Sequence, residues 1–197
     1  AMPSVAGRTL AVSPDGRRLA FWTDNHGASR SNSLQLWDAA TPNGTTTLLA
    51  SPSGETGTGV LWSSDGEGLL LSFVSLARQP RSNPPPPPDD TAETVLRTLE
   101  IASRNLTQVF RAKRGGLEGS VAPVAWNRER KTIGAVEVGG GGFAIAYLLI
   151  RDGDVSRTVF DRALSSVRSV AGSSDALWVV AVAGDGRIVS WSISNPG

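Results

Sequence analysis

The chain repeats a strand–turn–strand pattern, and this repetition limits the possible folds more than any other feature of the sequence. Residues 10–22 (LAVSPDGRRLAFW) contain two apolar runs around a polar turn, and residues 60–73 (VLWSSDGEGLLLSF) repeat the arrangement. In both copies an Asp-Gly pair, Asp15-Gly16 and Asp65-Gly66, separates the runs. This is a strong hairpin signal, because Gly accepts a positive φ and Asp caps its own turn. Weaker copies follow at 124–138 and 167–182.

A second hairpin follows each of the first three copies. The strand pairs are 33–38 with 45–49, 95–101 with 106–110 and 144–150 with 156–160, and a fourth pair begins at 188–193. We therefore expect a single domain, 1–197, of four units with four strands each, minus the last strand. The approximate unit boundaries are 5–50, 57–111, 120–161 and 165–197, and a Pro-rich loop is inserted at 79–90.

Four-stranded antiparallel sheets that repeat in tandem are typical of a β-propeller, in which each sheet is one blade. The segment SPDGRRLAF at 13–21, followed by LQLWD at 34–38, resembles the TolB-like and WD-repeat β-propellers. This resemblance implies an all-β propeller of about four four-stranded antiparallel blades. It implies no single function, because propellers of this kind serve as periplasmic scaffolds, sensor modules and peptidase gates.

Fifteen strands leave one place in the last blade empty, and a propeller needs its edges covered. Residues 3–6 could supply the missing strand, a neighbouring chain could supply it, or the chain could be one part of a longer propeller. We expect a four-blade module. The alternative is an eight-blade ring that two chains form as a homodimer.

Composition excludes several function classes. A net charge of +1 argues against a nucleic-acid binder, and the absence of Cys together with the single His26 argues against a metal site. The longest apolar run, 143–150, is too short to span a membrane. No Gly-x-Ser-x-Gly motif occurs. We expect no cofactor and no enzymatic activity.

Loops of a propeller collect alternately on two faces, and the long, irregular ones usually carry binding. We therefore expect the site on the face with the long loops. Arg104 groups with Arg111, Lys113 and Arg114 as four basic residues that could attract an acidic ligand. The predicted binding residues are Asp24, Asn25, His26, Arg30, Arg78, Arg81, Arg111, Lys113 and Arg114. The basic members could attract an acidic peptide or a phosphate. The six tryptophans are expected to pack between blades.

Together with the lack of a complete catalytic motif, the resemblance implies a non-catalytic propeller that binds an unidentified protein or peptide in a bacterial extracytoplasmic assembly or receptor. Two alternatives stay open. The chain could be the regulatory or gating propeller of a larger enzyme such as a peptidase, or a small-ligand or ion sensor.

Overall fold

The computed structural model describes residues 10–24, 32–75, 93–113, 120–138, 145–160, 167–173 and 178–192. Within these ranges every regular element is a β-strand, and the fifteen strands form four separate antiparallel sheets. The described part of the chain contains no helix that could cross a membrane.

Each sheet is built from strands that are consecutive in sequence, and we call the sheets blades one to four. Blade one contains β1 (Leu10–Val12), β2 (Arg18–Asp24), β3 (Asn32–Asp38) and β4 (Thr45–Ala50). Blade two contains β5 (Glu55–Trp62), β6 (Gly68–Ser75), β7 (Glu93–Glu100) and β8 (Leu106–Lys113). Blade three contains β9 (Ser120–Asn127), β10 (Thr132–Val138), β11 (Ile145–Arg151) and β12 (Asp154–Phe160). Blade four contains β13 (Val167–Gly172), β14 (Trp178–Ala183) and β15 (Ile188–Ser192).

This architecture confirms the predicted all-β propeller, including a last blade with three strands. Because each strand is antiparallel to the next, the turns after the first and third strands of a blade lie at one end of the sheet. We call this end the short-turn face. The loops after the second strands and the connections between blades lie at the opposite end, the long-loop face.

A serine fixes the first turn of blades one and two. Ser13 Oγ accepts the N–H of Arg18 (2.8 Å) and donates to Asp15 Oδ1 (2.5 Å), which also accepts the N–H of Arg17 (3.1 Å). Gly16 completes the turn with a φ of 72°. The hydrogen bonds from Ser13 and Arg17 hold the pKa of Asp15 below its usual value. Blade two repeats the turn with Ser63 in the place of Ser13.

Blades one and two are joined by a tryptophan that packs on one glycine and donates a hydrogen bond to another. The Trp22 indole is buried over Gly57, and its Nε1 donates to the carbonyl of Gly59 (3.1 Å). The buried Asn32 amide pairs with the Gly57 backbone, donating to its carbonyl (2.7 Å) and accepting its N–H (2.9 Å). The first strand of blade two is thereby fastened to blade one by side chains as well as by apolar burial.

Three apolar cores lie between consecutive blades, in the order of the sequence. Most of the tryptophans are buried or packed against these cores as expected, but Trp178 of blade four is half exposed, so the expectation is wrong there. The reason is that Trp178 points away from blade three, whereas its neighbour Val179 points towards it.

The expected four-blade ring is not closed by the described residues. Blade one packs on blade two, blade two on blade three, and blade three on blade four. The described strands of blades four and one have no comparable packing against each other. In the described residues the four blades therefore form an open arc, which corresponds to part of a propeller.

Candidate binding site

A groove of about 430 Å³ lies between blades two and three at the short-turn face. Three of its lining residues come from the outer strands of blade two, and the others come from blade three. The complete lining consists of Thr98, Gln108, Val109, Trp126, Arg128, Lys131, Ile133, Ile150, Asp152 and Gly153.

The floor of the groove is one row of side chains across blade three. Ile133 on β10 lies directly opposite Trp126 on β9 and opposite Ile150 on β11. Directly opposed residues of antiparallel strands point to the same side of a sheet, so the three form a continuous apolar strip. All three are nearly buried, and the strip exposes only a narrow width to solvent.

The wall from blade two depends on a β-bulge. Leu96 on β7 pairs with Phe110 on β8 and Arg97 pairs with Gln108, so Val109 is the extra residue. A bulge bends its strand and re-aims a side chain. Here Val109 lines the groove at the edge of the sheet.

Two tight turns of blade three supply a charged rim. Lys131 and Asp152 have positive φ values of 50° and 51°, which are uncommon for residues other than glycine. Lys131 Nζ lies 3.9 Å from Asp152 Oδ1, and both side chains are exposed. Because an exposed pair of this kind contributes little to stability, both charges are available to a ligand.

Arg128 ties the two sides of the groove together. Its guanidinium donates to Asp65 Oδ2 (3.0 Å) and Glu100 Oε2 (2.8 Å) of blade two, and it lies 5.9 Å from the centre of the Trp126 ring. Partial burial raises the pKa of Asp65. Hydrogen bonds from Ser63 and the Glu67 N–H, together with the Arg128 charge, outweigh that effect and leave this pKa below its usual value.

This arrangement suits the binding of one slender apolar side chain. The floor offers dispersion contacts, while Gln108, Lys131 and Asp152 offer polar groups to a backbone that passes above it. The carboxylates of Asp65 and Glu100 are both occupied by Arg128. In the ranges that the structure describes, no three His, Asp or Glu side chains are grouped so as to hold a metal ion.

Only part of the predicted site lies within the described residues. Asp24 ends β2 and pairs in register with Asn32, and Lys113 ends β8 opposite Glu93, so both lie at the long-loop face. The other predicted residues at positions 25, 26, 30, 78, 81 and 114 are outside the described ranges, as is the Pro-rich loop at 79–90. Binding at the long-loop face stays a prediction.

Arg111 is the predicted residue that the structure places near the groove. Its guanidinium lies 3.4 Å from Glu93 Oε2 and donates to Gln108 Oε1 (3.4 Å), and Gln108 lines the groove. The structure separates Arg104 from this group, because Arg104 occupies the turn before β8, at the other end of the strand. The basic cluster is therefore smaller than the sequence suggested.

Sequence reasoning missed the groove itself. Trp126 could be recognised in the sequence as an aromatic residue that recurs on the first strand of a blade, but this recurrence indicated only packing between blades. The bulge at Val109 and the contact between Lys131 and Asp152 depend on strand register and on two turns that are distant in sequence. No local pattern marks either of them.

Four consecutive meander sheets, packed in the order of the sequence, define a β-propeller fold. Comparison with solved structures agrees. TolB from Acinetobacter baumannii is similar at 14% identity with a TM-score of 0.59, over 95% of this chain and 41% of that one. The acylaminoacyl peptidase of Pyrococcus horikoshii is similar at 15% identity with a TM-score of 0.61, over 89% of this chain and 28% of that one.

The β-propeller domain of the Trilobed protease from Pyrococcus furiosus, described as having an open velcro topology, is similar at 13% identity with a TM-score of 0.54. That match covers 95% of this chain and 54% of the other. The chain thus spans at most about half the length of these structures, and at such identities the likeness shows the fold alone. No protein-family model matches the sequence, and no curated protein matches it.

Proposed function

We propose that this chain is a non-catalytic propeller module that binds a protein partner through an extended peptide segment, as part of a bacterial extracytoplasmic assembly or receptor. The groove between blades two and three carries the proposal. Its apolar floor receives one anchor side chain, and its polar rim contacts the peptide on either side. The extracytoplasmic location is supported by the likeness to TolB.

The shape of the groove favours a peptide over a small free ligand. Small-molecule sites enclose most of their ligand among convergent polar groups. Here the floor is a narrow strip, the groove is open to solvent, and the rim charges stand on turns at one end. An extended chain that inserts a single side chain uses such a shape well.

A phage-displayed library of random linear peptides, selected against the purified chain, tests the proposal. We expect enriched peptides that share one apolar side chain. Val109→Arg places a long charged side chain at the groove from an edge strand, and we expect it to weaken binding of the enriched peptides at least about tenfold, roughly 1.4 kcal/mol.

Thr107→Arg is the matched control, because Thr107 is an exposed residue of the same strand that does not line the groove. It should leave peptide binding unchanged. Failure to enrich any peptide, or equal loss of binding in both variants, would contradict the proposal. Enriched peptides that bind Val109→Arg as tightly as the parent chain would assign binding elsewhere, to the long-loop face.

The likeness to peptidase structures supports a second candidate, a propeller that gates a hydrolase. In that case the same reading frame encodes a hydrolase segment with a Gly-x-Ser-x-Gly motif. Sequencing the gene on both sides of this chain tests it. A frame that contains such a segment supports gating, and one that lacks it supports the binding module.

A further inference from the structure

The two ends of the blade arc expose apolar side chains. On blade one, Leu10 and Val12 are 53% and 56% exposed. On blade four, Val180 and Ile188 are 37% and 72% exposed, next to the half-exposed Trp178. We call these surfaces the blade-one end face and the blade-four end face.

Blade four can be aligned with blade two through their serine turns. Ser173 Oγ accepts the N–H of Trp178, as Ser63 Oγ accepts the N–H of Gly68, so Val180 corresponds to Leu70. On the third strands Ile188 pairs with Val182 as Leu96 pairs with Ser72, so Ile188 corresponds to Leu96. Leu70 and Leu96 are fully buried, and they belong to the core against blade three. The exposed residues of blade four thus stand where a propeller contacts its next blade.

Blade one can be aligned with blade two in the same way. Val12 precedes Ser13 as Trp62 precedes Ser63, so Val12 corresponds to Trp62 and Leu10 to Val60. Val60 and Trp62 are buried in the core between blades one and two. Leu10 and Val12 therefore stand where a propeller contacts its preceding blade, and the two end faces are the two halves of one inter-blade interface.

We infer that two copies of this chain associate head to tail, with the blade-four end face of each copy packed on the blade-one end face of the other. The resulting ring has eight blades and a two-fold axis. Leu10 and Val12 of one copy occupy the places that Val60 and Trp62 occupy in blade two. Val180 and Ile188 of the other copy are then buried as Leu70 and Leu96 are.

One observation favours a second copy as the occupant. The chain already makes this type of interface three times between its own blades, so both required surfaces are present on one molecule. Interfaces of this head-to-tail kind form rings when the rotation closes.

Light scattering during size-exclusion chromatography of the full chain tests the inference. We expect twice the monomer mass of 20.6 kDa, over a dilution series. Ile188→Asp and Val12→Asp each place a charge in the proposed interface, and each should raise the dimer dissociation constant by more than about a hundredfold. A parent chain that is monomeric at every concentration would overturn the inference.

Val155→Asp is the matched control. Val155 is also an exposed β-branched residue (47%), but it lies on the outer strand of blade three, away from both end faces. This variant should remain dimeric. Dissociation of the control variant together with the two end-face variants would contradict the assignment of the interface.

Mixing the two end-face variants distinguishes a head-to-tail dimer from a symmetric one. In a mixed dimer both substitutions fall in one interface and the other interface is intact, so mixing should restore a detectable dimer. A symmetric contact between identical faces would use only one of the two end faces, so one of the two variants would stay dimeric on its own, which would refute the head-to-tail arrangement.

A cross-linking experiment tests the same interface without a substitution that destabilises the dimer. The chain has no cysteine, so Leu10→Cys with Ile188→Cys creates one thiol on each end face. A short bismaleimide should join copies of this double variant, whereas Leu10→Cys with Val155→Cys should not be joined. Absence of cross-linked dimer from the first pair would count against the inference even if the mass were doubled.

Discussion

Among the glycines that the structure describes, Gly57 is the one where an added methyl group would make the closest contact. A Cβ at Gly57 would lie 2.4 Å from Cε2 and Cζ2 of Trp22. The indole cannot yield, because it is buried, meets the Phe73 ring edge-on at 5.5 Å and donates to the Gly59 carbonyl. Any backbone shift would also disturb the two hydrogen bonds with Asn32.

We therefore expect Gly57→Ala to lower the free energy of unfolding by about 2–4 kcal/mol. Overpacking accounts for ~1–3 kcal/mol, and weakened hydrogen bonds account for about one more. The measurement is urea and thermal unfolding followed by tryptophan fluorescence and circular dichroism. For a chain of this length the expected drop in Tm is roughly 4–16 °C.

Gly44→Ala is the control, because a Cβ at Gly44 would meet no atom within 4 Å and the backbone there is not left-handed. It should be neutral, or stabilising by up to ~1 kcal/mol through the unfolded chain. The double variant Gly57→Ala/Trp22→Leu should be less destabilised than the sum of its single variants, since the smaller side chain leaves room for the methyl group. Equal stability of the Gly57 and Gly44 variants would refute the packing argument.

Three further predictions concern polar contacts. Asn32→Ala should lower the free energy of unfolding by about 1–3 kcal/mol, measured by urea titration, because it leaves the buried backbone N–H and carbonyl of Gly57 unpaired. Arg128→Ala should weaken binding of the selected peptides more than it lowers Tm, because Arg128 joins the two walls of the groove. Its ion pairs are partly exposed and contribute only about 1 kcal/mol to stability. The pKa of Asp65 is lower in the folded chain than its ordinary value of 3.8, so this group stabilises the fold above that value and ceases to do so as the pH falls through the folded pKa. Tm measured across the acid range should therefore fall less steeply in Asp65→Asn than in the parent chain.

The fold could be predicted because its signals are local. The serine, aspartate and glycine of the first turn form their hydrogen bonds within five residues, as around Ser13 and Ser63, and the alternation of the flanking strands then sets the blade. The expectation for the tryptophans failed at Trp178 because burial depends on which side of a strand meets another blade. The sequence shows the strand, but it does not show where the arc ends.

The groove could not be predicted because each of its parts arises from a contact between distant segments. Its floor needs the register of three strands, its wall needs the bulge at Val109, and its rim needs the turns at Lys131 and Asp152 to meet. The first turn of blade three also lacks the Asp-Gly pair. Arg128 there reaches the Asp65 turn of blade two, so the departure from the repeat coincides with the residue that links the walls.

Peptide binding and self-association should be separable, because they use different blades. The groove lies between blades two and three, whereas the end faces lie on blades one and four. Val109→Arg should weaken peptide binding without changing the solution mass, and Ile188→Asp should halve the mass without changing the affinity of a single groove. If Ile188→Asp also removed peptide binding while thermal unfolding showed an intact fold, the groove would depend on the ring, and the binding site would have to include the interface between copies.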